Sequence, residues 1–120
     1  LQPADRVRVV SIANSASEVV SQRPGGSVLP VDRIVGGGTT ALYDGLVASL
    51  VAYPFADRPQ LVFAVTDGRD NSSFLDADRL VALARTSSAA LSIALVGTSS
   101  GGWSLRIRSR TCPYIPAHSA

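Results

Sequence analysis

The run Leu61-Val62-Phe63-Ala64-Val65 constrains the fold of this chain more than any other segment. It is continuous, apolar and of strand length, and Thr66-Asp67-Gly68 ends it with turn-forming residues. A run without polar alternation is typical of a parallel strand that is buried on both faces. Because parallel strands need crossover connections, usually helices, this segment predicts an α/β fold.

The segments around this run alternate between strand and helix patterns. We predict an edge hairpin with strands over residues 6–13 and 18–22, followed by a helix over 41–53 and the strand at 61–65. A second helix begins near a capping box formed by Ser73 and Asp76, and a second buried strand follows over 89–96. This order predicts a doubly wound, Rossmann-like, mostly parallel sheet with an antiparallel edge hairpin.

The size and charge of the chain limit its organisation and its partners. The 120 residues, 46% of them hydrophobic, suffice for one core, which we assign to residues 3–97. Residues 98–120 read as a loop, a short strand-like segment and an irregular tail. No apolar run approaches the roughly 20 residues of a membrane span, so we expect no membrane insertion. A net charge of +2 is too balanced to predict nucleic-acid binding.

Most catalytic side chains are missing from the sequence. All eleven basic residues are Arg, so a Schiff base or a P-loop lysine is excluded. The single histidine is His118 and the single cysteine is Cys112, which excludes an intrachain disulfide and a cysteine metal cluster. We therefore expect a protein that is not an enzyme. A hydrolase or nucleotide enzyme that uses Asp67 is an alternative, but neither a Gly-x-Ser-x-Gly motif nor a P-loop accompanies it.

Two polar residues occupy the positions where a doubly wound sheet binds ligands. Thr40 follows the glycines at 36–38 and precedes a helix, and Asp67 directly follows the buried strand. In such sheets the ligand crevice lies outside the carboxyl ends of the strands, so both residues should lie there. Each also has a local interpretation, since Thr40 can cap the helix and Asp67 can form a turn with Gly68.

The pair in this order, Gly36-Gly37-Gly38-Thr39-Thr40 before a helix and Thr66-Asp67-Gly68 after the next strand, resembles von Willebrand factor A domains over about residues 3–97. The resemblance implies a protein-binding module with a metal-ion-dependent adhesion site, in which Thr40 and Asp67 are metal ligands. The cation would be Mg²⁺, or Mn²⁺ or Ca²⁺, and it would bridge to an acidic residue of a protein partner. Thr40 is preferred to Thr39 for its offset from Tyr43. Bacterial members of the family are often secreted or membrane-attached.

The sequence departs from the family pattern at two places. The first metal-site motif, Asp-x-Ser-x-Ser at the end of a central strand, has no match, because Ala13-Asn14-Ser15-Ala16-Ser17 lies in the predicted hairpin turn and starts with Ala. We expect the central strand and half of the ligands to precede Leu1. The tail is the second departure, for which a premature end or a shifted reading frame after about Trp103 is one hypothesis. The alternative function is a structural domain with a degenerate metal site that binds partners without metal.

Several other polar and aromatic residues receive structural interpretations. Trp103 and the arginines at 106, 108 and 110 alternate with apolar residues, which favours a solvated strand edge over a nucleic-acid surface. Tyr43 and Tyr53 are interpreted as packing residues. Asp44, Arg69 and Asp70 are interpreted as solvated groups at the rim of the crevice, where a partner could touch them.

Overall fold

The computed structural model describes residues 1–52, 58–99 and 102–110. These residues form an α/β fold with two small sheets and two α-helices. The elements are β1 (Arg6–Ile12), β2 (Ala16–Pro24), a 3-10 turn (Val31–Arg33), α1 (Leu42–Val51), β3 (Leu61–Thr66), α2 (Ala77–Thr86), β4 (Ala90–Ser99) and β5 (Gly102–Arg110). The predicted α/β class is confirmed, while this topology does not by itself show a doubly wound sheet.

The first sheet is the antiparallel hairpin of β1 and β2. Ile12 pairs with Ala16 and Val10 with Glu18, and the register shifts on both sides of Val9. Arg8 of β1 forms an ion pair with Glu18 of β2, with Nε and Oε2 2.8 Å apart. The predicted hairpin is confirmed, and its second strand is longer than the sequence pattern indicates.

The second sheet has the strand order β3-β4-β5. Strands β3 and β4 are parallel, with Val62 paired to Leu91 and Ala64 to Ile93. Helix α2 connects them, as expected for a parallel pair. Strand β5, in the segment where arginines alternate with apolar residues, runs antiparallel to β4. Residues 111–120, and with them Cys112 and His118, lie outside the described residues.

The core lies between the helices and one face of the strands. Its buried members are Leu42, Leu46 and Leu50 of α1, Leu80 of α2, and Ala89. The partly buried hydrophobic residues packed against them include Ile12 of β1, Val62 and Ala64 of β3, and Leu91 and Ile93 of β4. Helix α1 therefore packs with residues of both sheets, and it is the element that holds the two sheets in one body.

The prediction that β3 is buried on both faces is wrong for the described residues. Leu61, Phe63 and Val65 are 66%, 57% and 64% exposed, whereas Val62 and Ala64 pack against the core. Successive side chains of a strand point to opposite faces, and here the helices contact only one face of β3. The continuous apolar run thus has a covered face and an uncovered face.

The N-terminal caps of both helices differ from the predictions. Helix α1 begins at Leu42 with Ala41 as its N-cap, so its own cap residue supplies no side-chain hydrogen bond. Helix α2 has Asp76 as its N-cap, and the Asp76 carboxylate accepts a hydrogen bond from Arg79 N at 2.8 Å. The predicted capping box is therefore wrong, because Asp76 caps the helix itself and Ser73 bonds elsewhere. Tyr53, the predicted end of α1, lies outside the described residues.

Within the described ranges, no helix has the length and apolar character required to cross a bilayer.

Candidate functional site

A cleft of about 310 Å³ lies where β1 and β3 end, and we call it the glycine-loop cleft. It is lined by Ser11, Ile12 and Ala13 at the end of β1, by the loop residues Ile34, Val35, Gly36, Gly37, Gly38 and Thr40, and by Thr66 and Asp67 at the end of β3. The structure therefore brings Thr40 and Asp67, which are separated by a helix and a strand, to the same cleft. Their predicted place at the carboxyl ends of the strands agrees with this geometry.

Thr40 is held in the cleft by backbone ties to two other segments. Its N–H donates to Oδ1 of Asn71 at 2.6 Å, and its carbonyl accepts from the N–H of Asn71 at 3.1 Å. The next residue, Ala41, donates its N–H to the carbonyl of Ala13 at 2.8 Å. Thr40 is thus fixed between the hairpin turn and the loop that follows β3.

Thr39 has a different role from Thr40. Both its N–H, at 2.9 Å, and its hydroxyl, at 2.7 Å, donate to Oδ1 of Asn14 in the hairpin turn. Gly38 has a φ of +79°, and a Cβ there would lie 2.8 Å from the same oxygen, so only glycine fits without displacing Asn14. The hairpin turn therefore anchors the glycine loop through Asn14. Thr40, and not Thr39, is among the residues that line the cleft.

Asp67 both forms a turn and lines the cleft. Its Oδ1 accepts from the N–H of Arg69 at 3.0 Å, and Thr66 Oγ1 accepts from the N–H of Gly68 at 3.1 Å. Gly68 has a φ of +83°, which lets the backbone turn sharply after the strand. The second carboxylate oxygen, Oδ2, lies 3.7 Å from Nε of Arg69. The turn interpretation and the site interpretation of Asp67 are therefore compatible.

Asp70 is a structural group, and its interpretation as a solvated rim residue is wrong. One of its oxygens accepts from the N–H of Tyr43 in the first turn of α1 at 2.9 Å. The carboxylate also binds Ser73, because Oδ1 accepts from the Ser73 N–H at 3.2 Å and Oδ2 accepts from the Ser73 hydroxyl at 2.5 Å. Because Ala41 cannot cap α1 with its side chain, a carboxylate from the loop after β3 takes over that function.

Asp44 forms further hydrogen bonds to the same loop, and it too is more than a rim residue. Its carboxylate accepts from the N–H of Phe74 at 2.9 Å and from the N–H of Leu75 at 3.0 Å. Its own N–H donates to the hydroxyl of Ser73 at 3.1 Å. The loop after β3 and the start of α1 therefore form one hydrogen-bonded unit that carries both Thr40 and Asp67.

The pKa of Asp70 reflects this network. Partial burial raises the pKa of its carboxyl, but hydrogen bonds from Ser73 and from the N–H groups of Tyr43 and Leu42 lower it more. The net pKa lies below the ordinary value of 3.8. A carboxyl with a lowered folded-state pKa contributes stability above its unfolded pKa, and this contribution is lost as the pH falls through the folded value.

The variant Asp70→Asn tests this cap. We expect it to lower the free energy of unfolding by about 1 kcal/mol near neutral pH, because the charged acceptor at the helix start is lost. We also expect the difference from the wild type to shrink once the pH falls below the unfolded-state pKa of about 3.9, and to vanish as the pH falls through the lower folded-state pKa of Asp70. Urea unfolding followed by circular dichroism at about pH 7 and about pH 3 measures both effects. Asp32→Asn, at an exposed position, is the matched control, and an equal loss there at neutral pH would contradict the assignment.

The cleft offers oxygen atoms, which are the ligand type that a hard divalent cation prefers. The Thr40 hydroxyl and the Asp67 carboxylate are oxygen ligands of the type that Mg²⁺ and Ca²⁺ prefer. These two ligands are too few to complete the coordination shell of the cation. In the described part of the chain, no group of three or more His, Cys, Asp or Glu residues is arranged to hold a metal. The remaining positions would be filled by water and by ligands from outside these residues.

Sequence reasoning missed the residues that assemble the cleft, namely Asn14, Asp70 and Asn71. Each is a short polar side chain in a loop, where it could equally bond to its own backbone. The available signal was the absence of a polar residue at position 41, which leaves the first N–H groups of α1 in need of an acceptor from elsewhere. That signal does not identify the acceptor.

Comparison of the sequence with models of known protein families finds no match, and comparisons with curated proteins and with solved structures find none either. The likeness to von Willebrand factor A domains therefore rests on the two sequence motifs alone.

Proposed function

We propose that this chain is a protein-recognition module of the von Willebrand factor A type, which acts by binding and without catalysis. The observation that supports this best is that Thr40 and Asp67, the two positions matched to metal ligands, line one cleft. The backbone of Thr40 is also hydrogen-bonded to Asn71, and the next residue, Ala41, is hydrogen-bonded to Ala13 beside the hairpin turn. A preorganised cleft of this kind loses little conformational entropy when it binds.

The charge of the cleft explains why a cation would be needed. Asp67 is the only charged residue among the described residues that line it. Arg69, whose Nε lies 3.7 Å from Asp67 Oδ2, offsets this charge only in part, so the cleft has no net positive charge with which to bind an acidic side chain of a partner. A divalent cation held by Thr40 and Asp67 would reverse the sign of the local charge and leave a coordination position for a partner carboxylate. The proposed partner is accordingly a protein that presents an exposed Asp or Glu.

The finer fold that we propose is a doubly wound sheet in which one central strand would lie between β1 and β3. Helix α1 packs against Ile12 of β1 and against Val62 of β3, although the two strands belong to separate sheets. The carboxyl ends of β1 and β3 face each other across the glycine-loop cleft. A strand in this place would pair with the unpaired edges of both and would bring further ligands to the cleft. About forty more residues before Leu1 would show whether such a strand, ending in Asp-x-Ser-x-Ser, exists.

The test of the proposed function uses acetate as the simplest carboxylate. In the ¹⁵N-labelled chain, we expect acetate to shift the amide signals of Thr40 and Gly68 when Mg²⁺ is present and to leave them unchanged when EDTA replaces it. Asp67→Ala should remove the Mg²⁺-dependent shift while the other amide signals stay in place. Asp32→Ala, which removes an exposed carboxylate elsewhere, should retain the shift. Equal acetate shifts with and without Mg²⁺ would refute the metal bridge.

A second candidate function is a scaffold that binds partners without metal. The uncovered face of β3 favours it, because Leu61, Phe63 and Val65 expose more than half of their surface side by side. Exposed contiguous apolar side chains mark protein interaction surfaces. Partner binding that persists in EDTA and in Asp67→Ala would support this function over the first.

A further inference from the structure

Arg69 forms an ion pair with the proposed metal ligand Asp67. Its backbone N–H donates to Oδ1 of Asp67 at 3.0 Å, and its Nε lies 3.7 Å from Oδ2 of the same carboxylate. Both oxygens of Asp67 therefore face donors from one residue. The side chains are exposed, Arg69 by 85% and Asp67 by 58%, so the guanidinium can move away without disturbing the packing of the chain.

We propose that Arg69 determines the cation affinity of the glycine-loop cleft by competing with the cation for the Asp67 carboxylate. This inference rests on the proposed function. A divalent cation at Oδ2 must displace the guanidinium, and the positive charge of Arg69 repels it within the same few ångströms. Loading of the site therefore requires the Arg69 side chain to swing into solvent, while its backbone hydrogen bond keeps the turn in place.

The strength of the ion pair sets the size of the effect. Exposed ion pairs contribute about 0.2–1 kcal/mol, which corresponds to about 1.5-fold to fivefold in a dissociation constant. A competitor of this strength weakens cation binding without preventing it. The cleft would then be empty at low cation concentration and would fill when a partner carboxylate adds its own ligand.

The experiment compares Mg²⁺ binding by three ¹⁵N-labelled chains, using Mg²⁺ alone as the probe. The dissociation constant is taken from the shifts of the Gly68 and Thr40 amides during titration. We expect Arg69→Gln to lower this constant by about 1.5-fold to fivefold relative to the wild type. Arg85→Gln removes the same charge from the last turn of α2, about two and a half turns of helix after the N-cap residue Asp76. It should leave the constant nearly unchanged.

Each outcome decides the proposal. An unchanged constant in Arg69→Gln overturns it, and so does an equal change in both variants, because the second result would reflect net charge alone. If Mg²⁺ shifts neither amide in any of the chains, the metal site itself is refuted. The proposed competition between Arg69 and the cation for Asp67 is then refuted as well. The amide spectra without Mg²⁺ show whether each variant is folded, and both substitutions are at exposed positions.

Discussion

Leu46→Ala is expected to lower the free energy of unfolding by about 2–5 kcal/mol, the largest loss among single substitutions considered for this chain. Leu46 is only 1% exposed and lies in the middle of α1, where it is surrounded by the buried leucines of both helices. Removal of its side chain leaves a cavity that the neighbouring residues cannot fill completely. Since domains of this size have a total stability of about 5–15 kcal/mol, the variant should be close to unfolding.

Leu83→Ala provides the matched comparison, since it makes the same chemical change in the other helix. Leu83 is 39% exposed, so less apolar surface returns to water and less of a cavity forms. We expect a loss of about 1 kcal/mol or less. Urea unfolding followed by circular dichroism measures both variants. Equal losses would show that Leu46 is not at the centre of the core.

Gly45→Ala is expected to destabilise the chain by about 1–3 kcal/mol, although alanine is the better helix former. Gly45 is in the first half of α1 and faces β1. A Cβ at this position would lie 2.7 Å from both Cδ1 and Cγ1 of Ile12 and 2.9 Å from its Cγ2. Three atoms of one β-branched side chain would have to shift, and such overpacking outweighs the gain of about 1 kcal/mol in helix propensity.

A double-mutant cycle with Ile12→Ala isolates this contact. Removal of the Ile12 side chain is costly by itself, but in that background Gly45→Ala should become neutral or stabilising. Thermal and urea unfolding of the four chains yields the coupling free energy, which we expect to exceed about 1 kcal/mol in favour of the double variant. Independent effects of the two substitutions would contradict close packing of α1 on β1, the contact that connects the first sheet to the core.

The sequence predicted where the candidate site lies, but it did not predict the hydrogen bonds that assemble the cleft. Thr40 and Asp67 were both expected at the carboxyl ends of strands, because a turn residue after a buried strand and a polar residue before a helix mark those ends locally. The hydrogen bonds that assemble the cleft join residues far apart in the chain. Thr39 and Asn14 are 25 positions apart, and Thr40 and Asn71 are 31 apart. No local pattern specifies such partners.

For strand β3, the local sequence pattern predicted the strand itself but not which of its faces is buried. Its five apolar residues in succession specify a strand, because β-branched and aromatic side chains suit a pleated backbone. Burial of both faces required a second layer on the far side of the sheet, and the described residues place both helices against the same side. Whether an apolar face is covered depends on other elements, so periodicity alone could not decide it.

The α/β class, the edge hairpin, both helices and the strands β3 and β4 could be predicted from the sequence, because apolar periodicity and turn residues act over a few positions of the chain. Three features became visible only in the folded chain: Thr39 bonds to Asn14, Asp70 rather than a residue of α1 itself caps the helix, and Arg69 pairs with the candidate ligand Asp67. These outcomes depend on distances between segments that the packing of α1 brings together. An isolated polar side chain in a loop has many possible partners, and packing selects one of them.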